Sequence, residues 1–319
     1  MKIQFAKVLR PVLSTAVALS LCGDVVGQES RRDESLRPGD HARTLAIGDQ
    51  QRTYILHVPK KYDSTKPTPV VLALHGALMD ASMMVAFSGL NRTADEAGFL
   101  VVYPNGSGVG PFRTWNAGGF KGKLAARRAD DVAFIRTLLN ELGRLLKVDR
   151  QRVFACGMSN GAMMCYRLAA ELSERIAAIA PVAGTMAIEN AKPKRAVPLI
   201  HFHGTADNLV PFDGPNQGTP KFLSFKSVKE TIQVWCQIDG CPSQPEMTSL
   251  PDRENDGTTV KRLTYGPGRE GAEVVLIEIS GGGHTWPGQT PVVGFIGKST
   301  LDISANDLIW QFFSRHPMK

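Results

Sequence analysis

Long hydrophobic runs are missing from this chain of 319 residues. The apolar run near the amino terminus, Pro11 to Leu21, is well short of the roughly 20 residues needed to span a bilayer, so no permanent membrane span is expected. Cysteine is scarce, five in all, and the spacings do not resemble a zinc site. Positive charge is not gathered into a dense Lys/Arg stripe with interleaved aromatics, which argues against a nucleic-acid partner. Arg127-Arg128 and Lys192 to Arg195 are short runs that a solvated face explains. No internal repeat and no low-complexity linker interrupts the chain, so two domains are not called for.

What is present begins with a leader. Lys2, Lys7 and Arg10 form a basic start, Pro11 to Leu21 an apolar middle, and Gly23, Val25 and Gly27 a small-residue end. This is the layout of a secretory signal peptide, residues 1–27, cut after Gly27. Cys22 raises a lipoprotein alternative, but Leu21 stands where such signals carry a small residue. Removing the leader takes three positive charges (Lys2, Lys7, Arg10) and one negative (Asp24), so the formal charge of +7 falls to +5. Export permits disulfides. Cys236 and Cys241, flanking the turn signal Asp239-Gly240, are the favoured bridge. Cys156 and Cys165 read as buried free thiols.

Residues 28–42 are polar and charged and read as a disordered lead-in. Beyond them, 43–319 is expected to be a single domain. The alternating runs RTLAI and TYILHV flank Gly48-Asp49 as a hairpin. PVVLALHG (Pro69 to Gly76) is a continuous apolar run, which suits a strand buried on both faces of a parallel sheet. A helix near Phe87 to Ala97, the strand Phe99 to Pro104, and an amphipathic helix from Asp131 to Leu146 follow. Next come a strand at Arg152 to Cys156, a helix from Asn160 to about Leu172, and strands at Ile176 to Val182 and Pro198 to Phe202. A helix near Ser227 to Gln237, a strand at Glu273 to Ile279 and a helix near Ser304 to Phe313 complete the order, with 241–271 rich in loops. Alternation of strand and helix implies an α/β fold, a mostly parallel central sheet with helices on both faces.

Gly157-Met158-Ser159-Asn160-Gly161 matches G-x-S-x-G and sits between an apolar strand and a helix. That setting is what a nucleophile elbow requires; as a bare pentapeptide it would equally be a serine N-cap. Ser159 is therefore the candidate nucleophile, with Gly157 and Gly161 removing side chains that would collide nearby. Serine needs a base, and in this arrangement the order is Ser, acid, His. Of seven histidines only His284 and His316 follow a plausible acid, and His316 lies in the tail SRHPMK. His284, in Gly281-Gly282-Gly283-His284, is the candidate base. Asp207, in His203-Gly204-Thr205-Ala206-Asp207, is the candidate acid that orients the imidazole; Asp213 is the runner-up. The loop after Leu74-His75-Gly76 is expected to supply one oxyanion N–H, from Ala77 with Leu78 as fallback, and Asn160 the other. His75 is expected to fix that loop. Trp115 and Trp286 are candidate substrate walls, each equally open to plain packing. Asp130-Asp131 reads as a helix cap rather than a metal site. No metal and no cofactor is called for.

LHGALMDA, TWNAGG, DDVAFI, GMSNGAMM, HGTADNLVP and GGGHTWPG occur in this order. Together they resemble exported polyhydroxybutyrate-depolymerase-like esterases of the α/β-hydrolase superfamily, related to feruloyl and acetylxylan esterases of carbohydrate esterase family one. The resemblance covers about residues 40–316 and implies the same three residues, Ser159, Asp207 and His284. It departs at Phe120-Lys121-Gly122-Lys123, where relatives often carry cysteines, and no separate polymer-binding module follows. The implied activity is hydrolysis of a carboxylic ester through an acyl-enzyme, on feruloyl or acetyl esters of polysaccharide. A hydroxyalkanoate polyester, a peptidase reaction and a non-catalytic binding role on the same scaffold are the alternatives.

Overall fold

A computed structural model describes residues 36–319 except 49, 121–128 and 292–293. The expected signal peptide with Cys22, residues 28–35 of the lead-in, Asp49, Lys121 to Lys123 and Arg127-Arg128 lie outside the described residues. The chain enters with β1 (Gly39–Ile47) and β2 (Gln50–Val58), then β3 (Thr68–Leu74), α1 (Ala81–Ser88), α2 (Leu90–Ala97) and β4 (Leu100–Pro104). A small hairpin, β5 (Ser107–Val109) and β6 (Phe112–Thr114), leads to α3 (Asp131–Leu145), β7 (Val148–Met158) and α4 (Asn160–Glu171). β8 (Ile179–Val182), β9 (Leu199–Gly204), α5 (Val228–Asp239), β10 (Glu246–Ser249), β11 (Thr259–Tyr265), β12 (Val274–Ser280) and α6 (Ala305–Arg315) follow.

Among the described residues, ten strands form one sheet in the order β1-β2-β4-β3-β7-β8-β9-β12-β11-β10. From β4 to β12 every neighbour is parallel, and an antiparallel pair flanks each side. This is the mostly parallel α/β-hydrolase architecture. Strands β3, β4, β8 and β9 are buried along their whole length, because helices cover both faces and leave no side for water. The alternation of side chains sorts each strand between two cores. Val70, Leu72 and Leu74 pack with residues of α3, α4 and α5, whereas Val71 and Ala73 pack with residues of α1, α2 and α6.

Several boundaries differ from expectation for physical reasons. β1 begins at Gly39, inside the segment expected to be disordered, because Gly39 pairs with Val58 and Asp40 Oδ1 accepts from His57 Nδ1 at 2.6 Å. The single helix expected near 87–97 is two, split where Gly89 takes φ 61°. The loop-rich stretch after Cys241 contains β10 and β11, which extend the sheet, β10 with exposed side chains and β11 with mostly half-buried ones. Cys236 and Cys241 are not bridged. Cys236 points into the core while Cys241 Sγ faces the Ala272 carbonyl at 3.7 Å, and burial pushes the two thiols up to about 12 and about 11. His316, in the tail SRHPMK, caps the end of α6 and is held there: its Nδ1 donates to the Phe312 carbonyl at 2.8 Å. No helix among the described residues is long and apolar enough to cross a membrane.

The helix that closes the chain is fixed to the central strand that leads to the site. Phe154 of β7 stacks on Phe313 of α6 with ring centroids 4.5 Å apart and planes at 6°, both fully buried. Removing a buried phenyl forfeits its transfer energy and leaves a cavity, so Phe154→Ala should cost about 3–5 kcal/mol in equilibrium urea unfolding. A loss under about 1 kcal/mol would mean that the site's central strand does not depend on this packing.

Candidate active site

The parallel strands end together at one edge of the sheet, and the candidate residues follow those ends. Met158 is opposite Val182, Val182 opposite Phe202, and Ile279 opposite Gly204. Ser159, Ala183, Thr205 and Gly281 are thus first past the ends of β7, β8, β9 and β12. With strands roughly 4.8 Å apart, β12 is too far from β7 for a direct approach, so its loop must turn back across the sheet. It does so by passing over β9, where a Cβ on Gly204 would sit 2.2 Å from the Gly282 carbonyl oxygen. Ala206 N donates to that carbonyl at 2.9 Å, and Gly281 N donates to Thr205 Oγ1 at 2.9 Å.

Ser159 carries φ 57° and ψ −118°, a conformation that non-glycine residues rarely adopt. It persists because the surroundings leave no alternative. Ser159 N donates to the Val182 carbonyl at 2.9 Å, and the carbonyl of Ser159 accepts from Met163 N in the first turn of α4. The close approach needs residues without Cβ. A Cβ on Gly161 would be 2.2 Å from the Leu74 carbonyl oxygen, and one on Gly184 would be 2.2 Å from the Ser159 carbonyl oxygen. Gly161 carries the expected role, and Gly184 is an addition that no local motif announced. Ser159 is partly exposed, so its hydroxyl is accessible at the sheet edge.

His284 and Asp207 meet directly. His284 Nδ1 donates to Asp207 Oδ2 at 2.7 Å, which leaves Nε2 of the neutral ring with its lone pair. The other carboxylate oxygen, Oδ1, accepts from Leu209 N and Val210 N, both at 2.9 Å. Burial pushes the Asp207 carboxyl up, but the His284 hydrogen bond and the nearby histidines outweigh it, so its pKa lies below the usual value. The carboxylate is therefore ionised at neutral pH. The loop that carries His284 is held in turn, with Gly283 N donating to the Lys298 carbonyl at 2.8 Å and His284 N to the Ile296 carbonyl at 2.6 Å. No hydrogen bond joins Ser159 Oγ to His284 among the described residues; in unliganded hydrolases that contact is often long and tightens with substrate. Asp213 is exposed, and His316 lies beside Glu273, at the opposite edge of the sheet.

Two main-chain N–H groups have no hydrogen-bond acceptor among the described residues. Ala77 is exposed, and Asn160 opens α4, where the first amides have no partner inside the helix. Leu78, the fallback donor, is excluded: its N–H donates to the Arg113 carbonyl at 2.8 Å, and its φ of 63° turns the chain away. His75 fixes this loop. Its Nδ1 donates to the Gly76 carbonyl at 2.7 Å, and its Nε2 accepts from Gly106 N at 2.9 Å. Burial pushes the ring down to about 4, so it is neutral at physiological pH.

Trp115 and Trp286 are not open walls. Trp115 is fully buried, its indole N–H donating to the His75 carbonyl at 2.9 Å. Its main-chain N donates to Asn160 Oδ1 at 2.6 Å, and Thr114 Oγ1 donates to the same oxygen at 2.9 Å. The Asn160 side chain thus ties the 114–115 loop to the start of α4. Trp286 is buried as well, its indole N–H donating to Asn306 Oδ1 at 2.9 Å. Both rings found buried partners for their one polar atom, which is what lets an indole serve as a core wedge. Asp130 caps α3 by accepting from Ala133 N at 2.9 Å, and Asp131 is buried against Arg52 at 2.8 Å. Asp131 Oδ2 also accepts from Asn116 N at 2.7 Å, so this ion pair anchors the loop that carries Trp115. Where relatives often carry cysteines, Phe120 stacks on Phe222 at 6.4 Å and bridges to Leu223.

Comparison with known proteins decides the family. Residues 52–213 match the family model described as esterase PHB depolymerase. The chain belongs to that family. It is accordingly a carboxylic ester hydrolase. It is 34% identical to a putative esterase, NocK, of Nocardia uniformis subsp. tsuyamanensis, over 85% of this chain and 81% of that protein. It is 29% identical to a bifunctional acetylxylan esterase/xylanase, XynS20E, of Neocallimastix patriciarum, over 82% of this chain and 33% of that protein. It is 30% identical to feruloyl esterase B of Piromyces equi, over 73% of this chain and 42% of that protein. The chain thus spans well under half the length of the last two. An acetyl xylan esterase from Aspergillus awamori shares the fold, with a TM-score of 0.58 and 17% identity over 86% of this chain and 99% of that one.

The neutrality of His75 has a measurable consequence. Unfolded, a histidine binds its proton near pH 6.5, whereas folded His75 holds out to about 4. Between those values the unfolded state takes up the extra proton, so His75 makes stability fall as pH falls. Wild type should lose about 2 kcal/mol more than His75→Gln between pH 7 and pH 5, by urea unfolding. Equal losses in the two proteins would show that the ring is charged or solvated.

Proposed function

We propose that the protein is an exported serine esterase that cleaves a carboxylic ester through an acyl-enzyme, with Ser159 as nucleophile, His284 as general base and Asp207 as the acid that orients it. The observation that carries this reading is the 2.7 Å bond from His284 Nδ1 to a buried, ionised Asp207 past the ends of β9 and β12, at the same edge of the sheet where Ser159 is held in strained geometry past the end of β7. Ser159 Oγ attacks the ester carbonyl while His284 Nε2 takes its proton. Asp207 fixes the ring tautomer and stabilises the imidazolium without taking the proton itself. The Ala77 and Asn160 amides receive the tetrahedral oxyanion, aided by the positive end of α4. The imidazolium returns its proton to the departing alcohol, and a water activated by the same ring then releases the acid. The leader pattern in 1–27 supports export, and 43–319 is the single catalytic domain.

For the substrate, relatives named acetylxylan esterase and feruloyl esterase favour acetyl or feruloyl esters of polysaccharide. A polyester substrate is favoured by one structural observation. Leu78, Phe112, Leu209 and Phe295 are 65%, 71%, 51% and 74% exposed, and each is tied in sequence or by a neighbouring contact to the oxyanion loop, the acid loop or the base loop. Turnover of acetylated xylan, methyl ferulate and hydroxybutyrate oligomers, compared side by side, separates the two substrates.

Loss of any of the three residues should be severe. With a short-chain aryl ester, Ser159→Ala and His284→Ala should lower kcat by about 10⁴-fold or more, and Asp207→Ala by about 10⁴-fold. A folded Ser159→Ala protein retaining a tenth of wild-type kcat would remove the serine from the reaction. Faster turnover of the matching aryl amide would assign the protein to peptidases instead.

A further inference from the structure

Two histidines on β9 take no part in the chemistry above, yet both are completely buried beside the acid loop. His201 and His203 are two residues apart, so they project from the same face of the strand, toward α4 and α5. Their rings stack at 5.2 Å with planes at 15°. The Tyr166 hydroxyl lies 2.8 Å from His201 Nδ1, His201 Nε2 lies 3.0 Å from His203 Nδ1, and His203 Nε2 lies 2.9 Å from the Val210 carbonyl. Every link is buried, and the chain runs without a break.

The directions of these bonds follow from the last one. A carbonyl only accepts, so His203 Nε2 must carry a proton and donate to Val210. Burial pushes His203 below the usual histidine value and His201 well below it, so each neutral ring holds one proton. His203 Nδ1 therefore accepts, His201 Nε2 donates, and His201 Nδ1 accepts from the Tyr166 hydroxyl. Four groups thus have their donors and acceptors used in a single consistent order.

Both ends of the chain are attached to the site. Tyr166 belongs to α4, the helix that Ser159 and Asn160 open. At the other end the peptide groups of Val210 are gripped from two sides: the carbonyl accepts from His203, and the N–H donates to Asp207 Oδ1 at 2.9 Å. His203 Nε2 is also 3.5 Å from Asp207 Oδ2, the oxygen that accepts from His284. We propose that Tyr166, His201 and His203 are positioning residues, a buried relay that sets the Asp207 loop in register with the helix carrying the nucleophile. They touch neither substrate nor reacting atoms. Their effect is to keep the carboxylate where His284 needs it, without which a displacement on the order of 1 Å costs about a hundredfold in rate.

This inference rests on the triad reading, and the two are separable by one assay. Kinetics on a soluble aryl ester are measured for Asp207→Ala, Tyr166→Phe, His203→Leu, His203→Gln and the double variant Tyr166→Phe/His203→Leu, with kcat expressed per serine titrated by a fluorophosphonate. Inactive Asp207→Ala supports the triad; an active one ends that reading and this one with it. Tyr166→Phe keeps the ring's packing and removes only the first donor, so it should lower kcat about fivefold with KM unchanged. His203→Leu should lower kcat about a hundredfold, and His203→Gln, which keeps one donor and one acceptor, should recover most of it. Because the relay acts as one unit, the double variant should be no slower than His203→Leu alone. If His203→Leu does not fold, Tyr166→Phe and His203→Gln decide. The relay is overturned if Tyr166→Phe keeps wild-type kcat while Asp207→Ala is inactive, if the losses appear in KM, or if Gln rescues nothing.

Discussion

A serine forced to positive φ is the constraint on which the rest of this structure depends. At φ 57° and ψ −118° the backbone of Ser159 turns sharply enough to end β7 and start α4 in consecutive residues. The turn places a hydroxyl above the sheet and a helix amino terminus beside it, which is the geometry an oxyanion needs. Such strain persists only where neighbours over-determine the backbone. Here the neighbours are Leu74 and His75 pressing on Gly161, and Gly184 pressing on the serine's own carbonyl. The loop that leads to Ala77 is therefore fixed by the same contacts that fix Ser159.

The remaining parts of the site are brought to that turn by polar ties to buried side chains. His75 and Trp115 hold the Ala77 loop, Asn160 holds the 114–115 loop, and Asp131 with Arg52 holds the loop that follows. On the far side, Asp207 is held by two main-chain N–H groups and by His284, whose loop is pinned to 296–298. Each tie satisfies a buried polar group that would otherwise be costly to desolvate. Rigidity of the site and satisfaction of the core are thus the same set of bonds.

How much of this could be read from residues alone follows from what kind of signal each feature leaves. The central strands leave a strong one, since burial on both faces demands continuous apolar runs such as PVVLAL. The edge strand β10 leaves almost none, because exposed Glu246–Ser249 has no face that must be apolar. Ser159, Asp207 and His284 were each singled out by a motif and by the order of elements. Trp115 and Trp286 were placed as substrate walls because an aromatic beside a catalytic motif suits a wall or a wedge equally, and only the partner of the indole N–H decides. Cys236 and Cys241 are close in sequence, but they straddle a helix end where one side chain enters the core and the other faces a carbonyl. Gly184, the Asn160 side chain and the Tyr166–His201–His203 chain have no local pattern, since each depends on elements far apart in sequence.

The central claim is that Ser159, His284, Ala77 and Asn160 act on one substrate atom cluster. A crystal structure of the protein after reaction with a fluorophosphonate tests it most directly. Phosphorus should be bonded to Ser159 Oγ, with a phosphoryl oxygen about 2.7–3.1 Å from the Ala77 and Asn160 nitrogens and His284 Nε2 turned toward Oγ. Phosphorus on another side chain, or a phosphoryl oxygen far from both amides with His284 still out of reach, would contradict it.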